Sequence, residues 1–164
     1  MTATVSADAD QIDSGYEIPA MAQYVDILNV MTFNFHGIWH PYTHHHAPLY
    51  QYAEDTKQEL NVDFAIDYYI YKGFPKEKIS LGMGLFGKCW SLTDGENNNG
   101  ILAPTTENGL NVPLGKYTDT LGVLGYNEVS LGLFFNISLL VLYFENCAAF
   151  VMLKVVIHIS NGIF

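Results

Sequence analysis

The chain has 164 residues, of which 49% are hydrophobic and 15% are charged, and its formal net charge is -10. This length corresponds to about one domain and is too short for a complete (β/α)8 barrel, which needs roughly 200 residues or more. The acidic balance argues against binding to nucleic acid or to an anionic membrane surface, and it favours a neutral or cationic partner, such as an uncharged polysaccharide.

The first half of the chain alternates strand and helix signals. Residues 2–6 form a short β-like run, and a short helix is predicted over residues 20–24, directly after Pro19. The mostly apolar run VDILNVMTF, residues 25–33, predicts a buried strand. A long loop follows, and it contains Gly37, two prolines and three consecutive histidines.

Residues 61–72 form the best predicted helix. Asn61 can cap its N-terminus, and Asp63 places a negative charge in the first turn, where it suits the helix dipole. Aromatic residues at positions 64, 68 and 71 recur along one face. Gly73 then provides the stop signal.

A second buried strand is predicted over residues 79–86, ISLGMGLF, and its two glycines indicate a close backbone approach at the strand end. Strand, helix and strand in this order predict a βαβ unit with a parallel sheet. Between residues 87 and 129, asparagine–glycine turn signals at 97–100 and 108–109 separate short β-like pieces, which predicts a small β-rich insertion.

Several segments, taken in order, carry a family resemblance. Residues 29–37, NVMTFNFHG, resemble the Met-x-Tyr-Asp-Phe-His-Gly segment that ends the sixth barrel strand of the chitinases, glycoside hydrolase family 18. Residues 47–50 (APLY), 72–78 (KGFPKEK) and 81–88 (LGMGLFGK) match later family segments in register. The resemblance covers about residues 2–129.

The resemblance implies an α/β fold: a partial TIM (β/α)8 barrel with part of an inserted α+β subdomain. Residues 1–87 would correspond to barrel strands five to seven, and residues 88–129 to the first part of the insertion. Residues 130–164 form an apolar tail of unknown nature. No stretch of the chain matches the family's strand-four motif, Asp-Gly-x-Asp-x-Asp-x-Glu, whose glutamate is the general acid.

By resemblance, the intact family hydrolyses β-1,4 bonds between N-acetylglucosamine units, with the substrate's own acetamide as the nucleophile. An aspartate and a tyrosine of the sixth-strand motif assist that acetamide, and here they are replaced by Asn34 and Phe33. Losing one hydrogen-bond donor of this kind lowers the catalytic rate by ~10²–10³-fold. We therefore expect no catalytic residue in this chain and no catalysis by it.

The resemblance nominates substrate-binding residues at the carboxyl ends of the sixth and seventh strands: Met31, Phe33, Asn34, Trp39, Met83, Phe86 and Lys88. Structural roles remain as alternatives. Phe33 and Phe86 can be core residues, as buried aromatic side chains commonly are. Asn34 suits a turn, and Trp39 can anchor its loop. No cofactor is implied. The three histidines at 44–46 point in different directions on any regular backbone, so no metal site is expected.

Two functions remain open at this point. The chain is part of a chitin hydrolase whose partner is chitin or a related N-acetylglucosamine polysaccharide. Alternatively, it belongs to a non-catalytic chitinase-like lectin or growth-factor-like glycan-binding protein, as the changes at Phe33 and Asn34 favour. The family is extracellular, although the N-terminus carries no signal peptide.

The tail differs sharply in composition, since 24 of its 35 residues are apolar. Three interpretations remain: a buried or misassembled segment, including translated intron; a membrane anchor; or an unrecognised family element. The longest uncharged run, residues 129–144, has 16 residues and is shorter than the roughly 20 that a spanning helix needs. Two cysteines, Cys89 and Cys147, do not make a disulfide framework.

A partial barrel also leaves open sheet edges, which predicts aggregation.

Overall fold

The computed structural model describes residues 1–93, 100–106, 111–112, 114–128 and 147–150, which form two small sheets and three helices. The first sheet is parallel, with the order β1 (Thr2–Ser6), β2 (Ile27–Met31) and β3 (Ile79–Leu81). Helices α1 (Ala9–Gly15) and α2 (Ile18–Tyr24) connect β1 to β2. Helix α3 (Val62–Tyr71) and a 3-10 turn (Lys76–Lys78) connect β2 to β3, so the predicted βαβ unit is confirmed.

One face of this sheet carries the main core. Val5 of β1 lies opposite Val30 of β2, and both are almost completely buried. Apolar side chains from the three helices pack over them, namely Ile12, Ile18, Val62, Ala65 and Tyr69. The helices therefore form one layer against one side of the sheet.

The buried strand predicted over residues 25–33 exists, but it is shorter and less buried than expected. β2 covers only Ile27–Met31, and the side chains of Ile27 and Met31 are 46% and 40% exposed. Alternate residues of a strand point to opposite faces. In the described part of the chain the helices cover only one of these faces.

The second predicted strand is also shorter than expected. β3 ends at Leu81, which is 45% exposed, and the next strand, β4 (Phe86–Ser91), belongs to the other sheet. The close approach predicted for the glycines is confirmed. A Cβ atom on Gly82 would lie 2.6 Å from the Val30 carbonyl oxygen, and the Gly82 amide donates to that oxygen at 2.8 Å.

Helix α3 confirms its predicted signals at both ends. The Asn61 side chain accepts a hydrogen bond from the Phe64 amide at 2.8 Å, Asp63 lies in the first turn, and Gly73 adopts a φ of 97°. The aromatic face is different from the core face, however. The rings at positions 64, 68 and 71 stack on one another, whereas Val62, Ala65 and Tyr69 are the buried residues.

Sequence analysis missed helix α1, although it carries a usable signal. The Asp8 side chain accepts a hydrogen bond from the Gln11 amide at 3.0 Å and caps the helix. The helix predicted after Pro19 exists, but α2 begins at Ile18, so that the proline occupies its first turn.

The second sheet is antiparallel, with the order β5 (Val123–Gly125), β4 and β6 (Cys147–Phe150). β6 lies within the apolar tail. The rest of the tail and the turns predicted at 97–99 and 108–109 lie outside the described residues. Trp90 of β4 is buried and donates to the Gly37 carbonyl oxygen at 2.9 Å, which ties this sheet to the loop after β2. Within the described residues, no helix is long and apolar enough to cross a membrane.

Candidate functional site

An open cavity of about 440 Å³ lies at the carboxyl ends of β1 and β2. Parallel α/β folds place their binding sites at this end of the strands. The lining comes from three segments, the end of β1 with α1, the stretch after β2, and the following loop: Ser6, Ala7, Asp8, Gln11, Met31, Phe33, Asn34, Phe35, Trp39, His40, Lys57 and Leu60. The cavity therefore combines aromatic surface with both signs of charge.

The structure divides the seven nominated residues into two groups. Met31, Phe33, Asn34 and Trp39 line the cavity, whereas Met83, Phe86 and Lys88 do not. Phe86 and Lys88 nevertheless pack directly behind the lining. The Phe33 and Phe86 rings meet edge to face at 5.9 Å, and the Lys88 ammonium lies 5.3 Å from the Trp39 ring centre.

Asn34 begins the turn that leaves β2. Its φ of 63° lies in the left-handed region, which asparagine tolerates better than most side chains. The next residue fixes this turn, because the Phe35 amide donates to the His46 carbonyl oxygen at 2.8 Å. Asn34 is thus both a turn residue and an exposed polar group in the cavity wall.

Phe33 is held between β2 and the chain that follows β3. The Thr32 hydroxyl donates to the Gly82 carbonyl oxygen at 2.6 Å and joins these two segments. A Cβ atom on Gly84 would lie 3.2 Å from the Phe33 Cβ atom, so the glycine makes room for the ring. Phe33 is half-buried and offers the cavity an apolar ring edge without a hydroxyl donor.

Trp39 presents the largest aromatic surface in the lining. It is 55% exposed, and its ring lies against Gly37. A Cβ atom on Gly37 would come within 2.3 Å of the indole, so only glycine permits this arrangement. An exposed indole can stack on a flat apolar ligand face.

Lys88 is an unusual basic residue because it is only 8% exposed. Its ammonium lies over the Trp39 and Phe86 rings, at 5.3 and 5.6 Å from their centres. Within the described residues no carboxylate lies within ion-pair distance of it. Burial lowers the pKa of Lys88, since the low-dielectric surroundings disfavour the charged form.

Histidines from the loop after β2 form a packed cluster beside the cavity. The rings of His36 and His44 stack at 3.9 Å, and His40 lies 5.0 Å from His36. Asp55 accepts a hydrogen bond from the Nε2 atom of His44 at 2.9 Å, and both side chains are buried. Burial, followed by the neighbouring His44 and His40, lowers the pKa of His36 to about 3.

This cluster bears on the metal question raised by the histidine run. In the described part of the chain, no group of three or more His, Cys, Asp or Glu side chains could hold a metal ion. The Nε2 atom of His46 lies 2.9 Å from the Phe86 carbonyl oxygen, and its ring stacks on that of Phe86. His46 is thereby held against β4 by a polar contact and a ring contact.

Sequence reasoning missed five polar residues of the lining: Ser6, Asp8, Gln11, His40 and Lys57. Two of them belong to α1, which was not predicted. Their position directly after a parallel strand was the available signal, because that edge of the sheet generally carries the site.

Comparison with known proteins gives consistent matches. The sequence model of the family described as glycosyl hydrolases family 18 matches residues 1–154, which extends beyond the resemblance found over residues 2–129. Chitotriosidase-1 of Mus musculus is 38% identical over 130 residues, which are 78% of this chain and 27% of that protein.

Solved structures show the same relationship. The immunomodulatory active chitinase TsES1 from Trichuris suis has a TM-score of 0.76 and 34% identity, over 82% of this chain and 36% of its own. Human YKL-39, a pseudo-chitinase with retained chitooligosaccharide binding properties, has a TM-score of 0.72 and 32% identity, over 80% of this chain and 36% of its own. The chain therefore spans about a third of these structures, and the partial TIM-barrel fold is confirmed.

Proposed function

The chain belongs to glycosyl hydrolase family 18, and on that premise we propose that it forms part of a binding site for N-acetylglucosamine oligosaccharides. One observation carries the proposal. The cavity at the carboxyl ends of β1 and β2 is lined by both the exposed Trp39 indole and the polar Asn34 side chain. A pyranose ring has apolar faces and a polar rim, and this pairing of surfaces is complementary to it.

The relatives support this class of ligand. Human YKL-39 is named for retained chitooligosaccharide binding as a pseudo-chitinase, and it shares this fold segment at 32% identity. The mouse relative is named chitotriosidase-1, and the Trichuris suis protein is named an active chitinase. Both kinds of relative make a neutral N-acetylglucosamine oligomer the ligand to test first.

We propose that this 164-residue chain binds such an oligomer without cleaving it. No stretch of the sequence matches the family's general-acid motif. Phe33 has no hydroxyl to hold an acetamide oxygen, and Asn34 offers a neutral amide in place of a carboxylate. Each absent donor would cost ~10²–10³ in rate, because charge develops on the acetamide in the transition state.

A second candidate is a chitinase-like lectin, favoured by the same changes at Phe33 and Asn34. The full-length transcript distinguishes a chitin hydrolase from a chitinase-like lectin. A glutamate in the strand-four motif supports a hydrolase, and a substitution there supports the lectin. We propose an extracellular location in either case, by analogy with the family.

Isothermal titration calorimetry of the purified chain tests the proposed binding. N-acetylchitohexaose is expected to bind, and cellohexaose, which lacks the acetamido groups, is expected to bind more weakly. Chromatography of the recovered sugar should show no shorter product. Absence of binding would refute the binding proposal, and turnover would refute the proposed lack of catalysis.

A further inference from the structure

Lys88 occupies a position that a charged side chain rarely adopts. It lies on β4 with only 8% of its surface exposed, and in the described part of the chain no acidic group pairs with it. Burying an ammonium is costly unless something compensates for the lost water. Here the compensation comes from two aromatic rings, those of Trp39 and Phe86.

Trp39 needs such a contact because its own segment constrains it little. The residue lies in a loop and is more than half exposed. Within its own segment, its ring packs against Gly37, which contributes no side chain, and lies 5.9 Å from the His40 ring. A cation within about 6 Å of an indole centre is attracted to the ring face, and the observed distance of 5.3 Å satisfies this condition.

Lys88 itself is anchored on the opposite side. β4 is paired with β5 on one edge and with β6 on the other, and its register places Lys88 opposite Val123 and Phe150. The neighbouring Trp90 fixes β4 to the Gly37 carbonyl at 2.9 Å. A rigid strand therefore presents the ammonium to a tryptophan in a loop.

We propose that Lys88 is a positioning residue, which holds the Trp39 indole in the orientation that receives a sugar ring and does not itself contact the sugar. The proposal rests on the proposed function for its ligand. The structural part of the proposal, that Lys88 fixes the orientation of Trp39, does not depend on the identity of the ligand. Pre-ordering an exposed side chain removes an entropic cost from binding.

Fluorine NMR of the 5-fluorotryptophan-labelled chain tests the structural part. The chain contains two tryptophans, so the spectrum reports the exposed Trp39 and the buried Trp90 separately. Lys88→Met keeps a flexible aliphatic side chain and removes the charge, and Lys88→Arg restores a cation. We expect Lys88→Met to shift and broaden the Trp39 signal, Lys88→Arg to restore it, and Trp90 to remain unchanged.

Affinity for N-acetylchitohexaose tests the functional part. Loss of one cation–π contact should weaken binding about threefold to thirtyfold in Lys88→Met, with recovery in Lys88→Arg. Lys116→Met is the matched control, because that ammonium also lies over an aromatic ring, Tyr117 at 5.4 Å, away from the cavity lining. The control should change neither signal nor affinity.

Two results would overturn the positioning role. One is an unchanged Trp39 signal in Lys88→Met. The other is a change of both tryptophan signals in both Lys88 variants, which would show general loss of packing around β4. If the unaltered chain binds no chitohexaose, the proposed function fails, while the fluorine spectra still decide whether Lys88 fixes Trp39.

Discussion

Trp39 is the residue on which the proposed sugar site depends most. It contributes the exposed indole of the cavity wall, and its ring occupies the space that a Cβ atom at position 37 would need. The surrounding polar groups, Asn34 above all, would select hydroxyl and acetamido groups of a bound sugar. Stacking and selection are thus divided between neighbouring residues of one loop.

Trp39→Ala should weaken binding of N-acetylchitohexaose at least tenfold, which corresponds to about 1.4 kcal/mol. The loss follows from removing the ring face on which a pyranose would stack. Tryptophan fluorescence is unsuitable for this variant, so calorimetry is the measurement. Tyr71→Ala is the control, since this aromatic residue is 81% exposed on α3 and outside the cavity lining. Equal affinities of the two variants would contradict the assignment.

At the scale of elements, helix α3 shows what local sequence can predict. Its cap, first-turn acid and terminating glycine are short-range signals, and all three are confirmed. Which face of the helix is buried was not predictable in the same way. The aromatic row looks like a core stripe by spacing, but the sheet receives Val62, Ala65 and Tyr69. Which face of α3 is buried is determined by how the helix packs against the sheet.

In the candidate site, too, residues of one local segment were predictable, whereas residues brought together by tertiary packing were not. Met31, Phe33, Asn34 and Trp39 were placed in the cavity through the family register, because they lie within one local segment. Lys57 and Gln11 come from separate segments that converge only in three dimensions. The burial of Lys88 likewise depends on the pairing of β4 with strands distant in sequence.

Asn61→Ala should lower the free energy of unfolding by about 1 kcal/mol. The variant loses the acceptor for the Phe64 amide and also the donor to the Gln58 carbonyl oxygen, both at 2.8 Å. Asn61→Asp keeps the acceptor alone and should lose less. Urea unfolding followed by circular dichroism provides the comparison, and an alanine variant as stable as the original would contradict the cap.

The histidine cluster predicts that stability falls in mild acid. The pKa of His36, about 3 in the folded chain, lies below the ~6.5 of an exposed histidine, so the unfolded chain takes up the proton first. The stabilisation from this difference is present above about pH 6.5 and decreases by about 1.4 kcal/mol for each pH unit between about pH 6.5 and the folded pKa of about 3.

His36→Phe keeps a planar ring and removes this titration. Urea midpoints measured between about pH 7 and about pH 5.5 should fall less steeply for the variant than for the unaltered chain. Identical pH dependence in the two proteins would show that His36 is protonated equally in the folded and unfolded states.

At the scale of the whole molecule, the first sheet is incompletely covered. Within the described residues, the outer edges of β1 and β3 pair with no strand, and one face carries exposed Ile27 and Met31. Such edges are templates for pairing with another chain. The 164-residue chain should therefore self-associate with increasing concentration.

Thr4→Lys places a charge on the exposed edge strand β1 and should reduce self-association. Thr56→Lys adds the same charge at an exposed loop position and should not. Sedimentation velocity over a concentration series distinguishes them. A chain that remains monomeric throughout, or an equal effect of both lysines, would contradict edge pairing as the cause.

The central claim is that the cavity at the ends of β1 and β2 receives the sugar. Methyl NMR of the methionine-labelled chain, titrated with N-acetylchitohexaose, tests it most directly. Met31 lines the cavity and Met21 packs against the core. We expect the Met31 signal to shift with saturation while the Met21 signal stays in place. A saturable shift elsewhere, with Met31 unmoved, would contradict it.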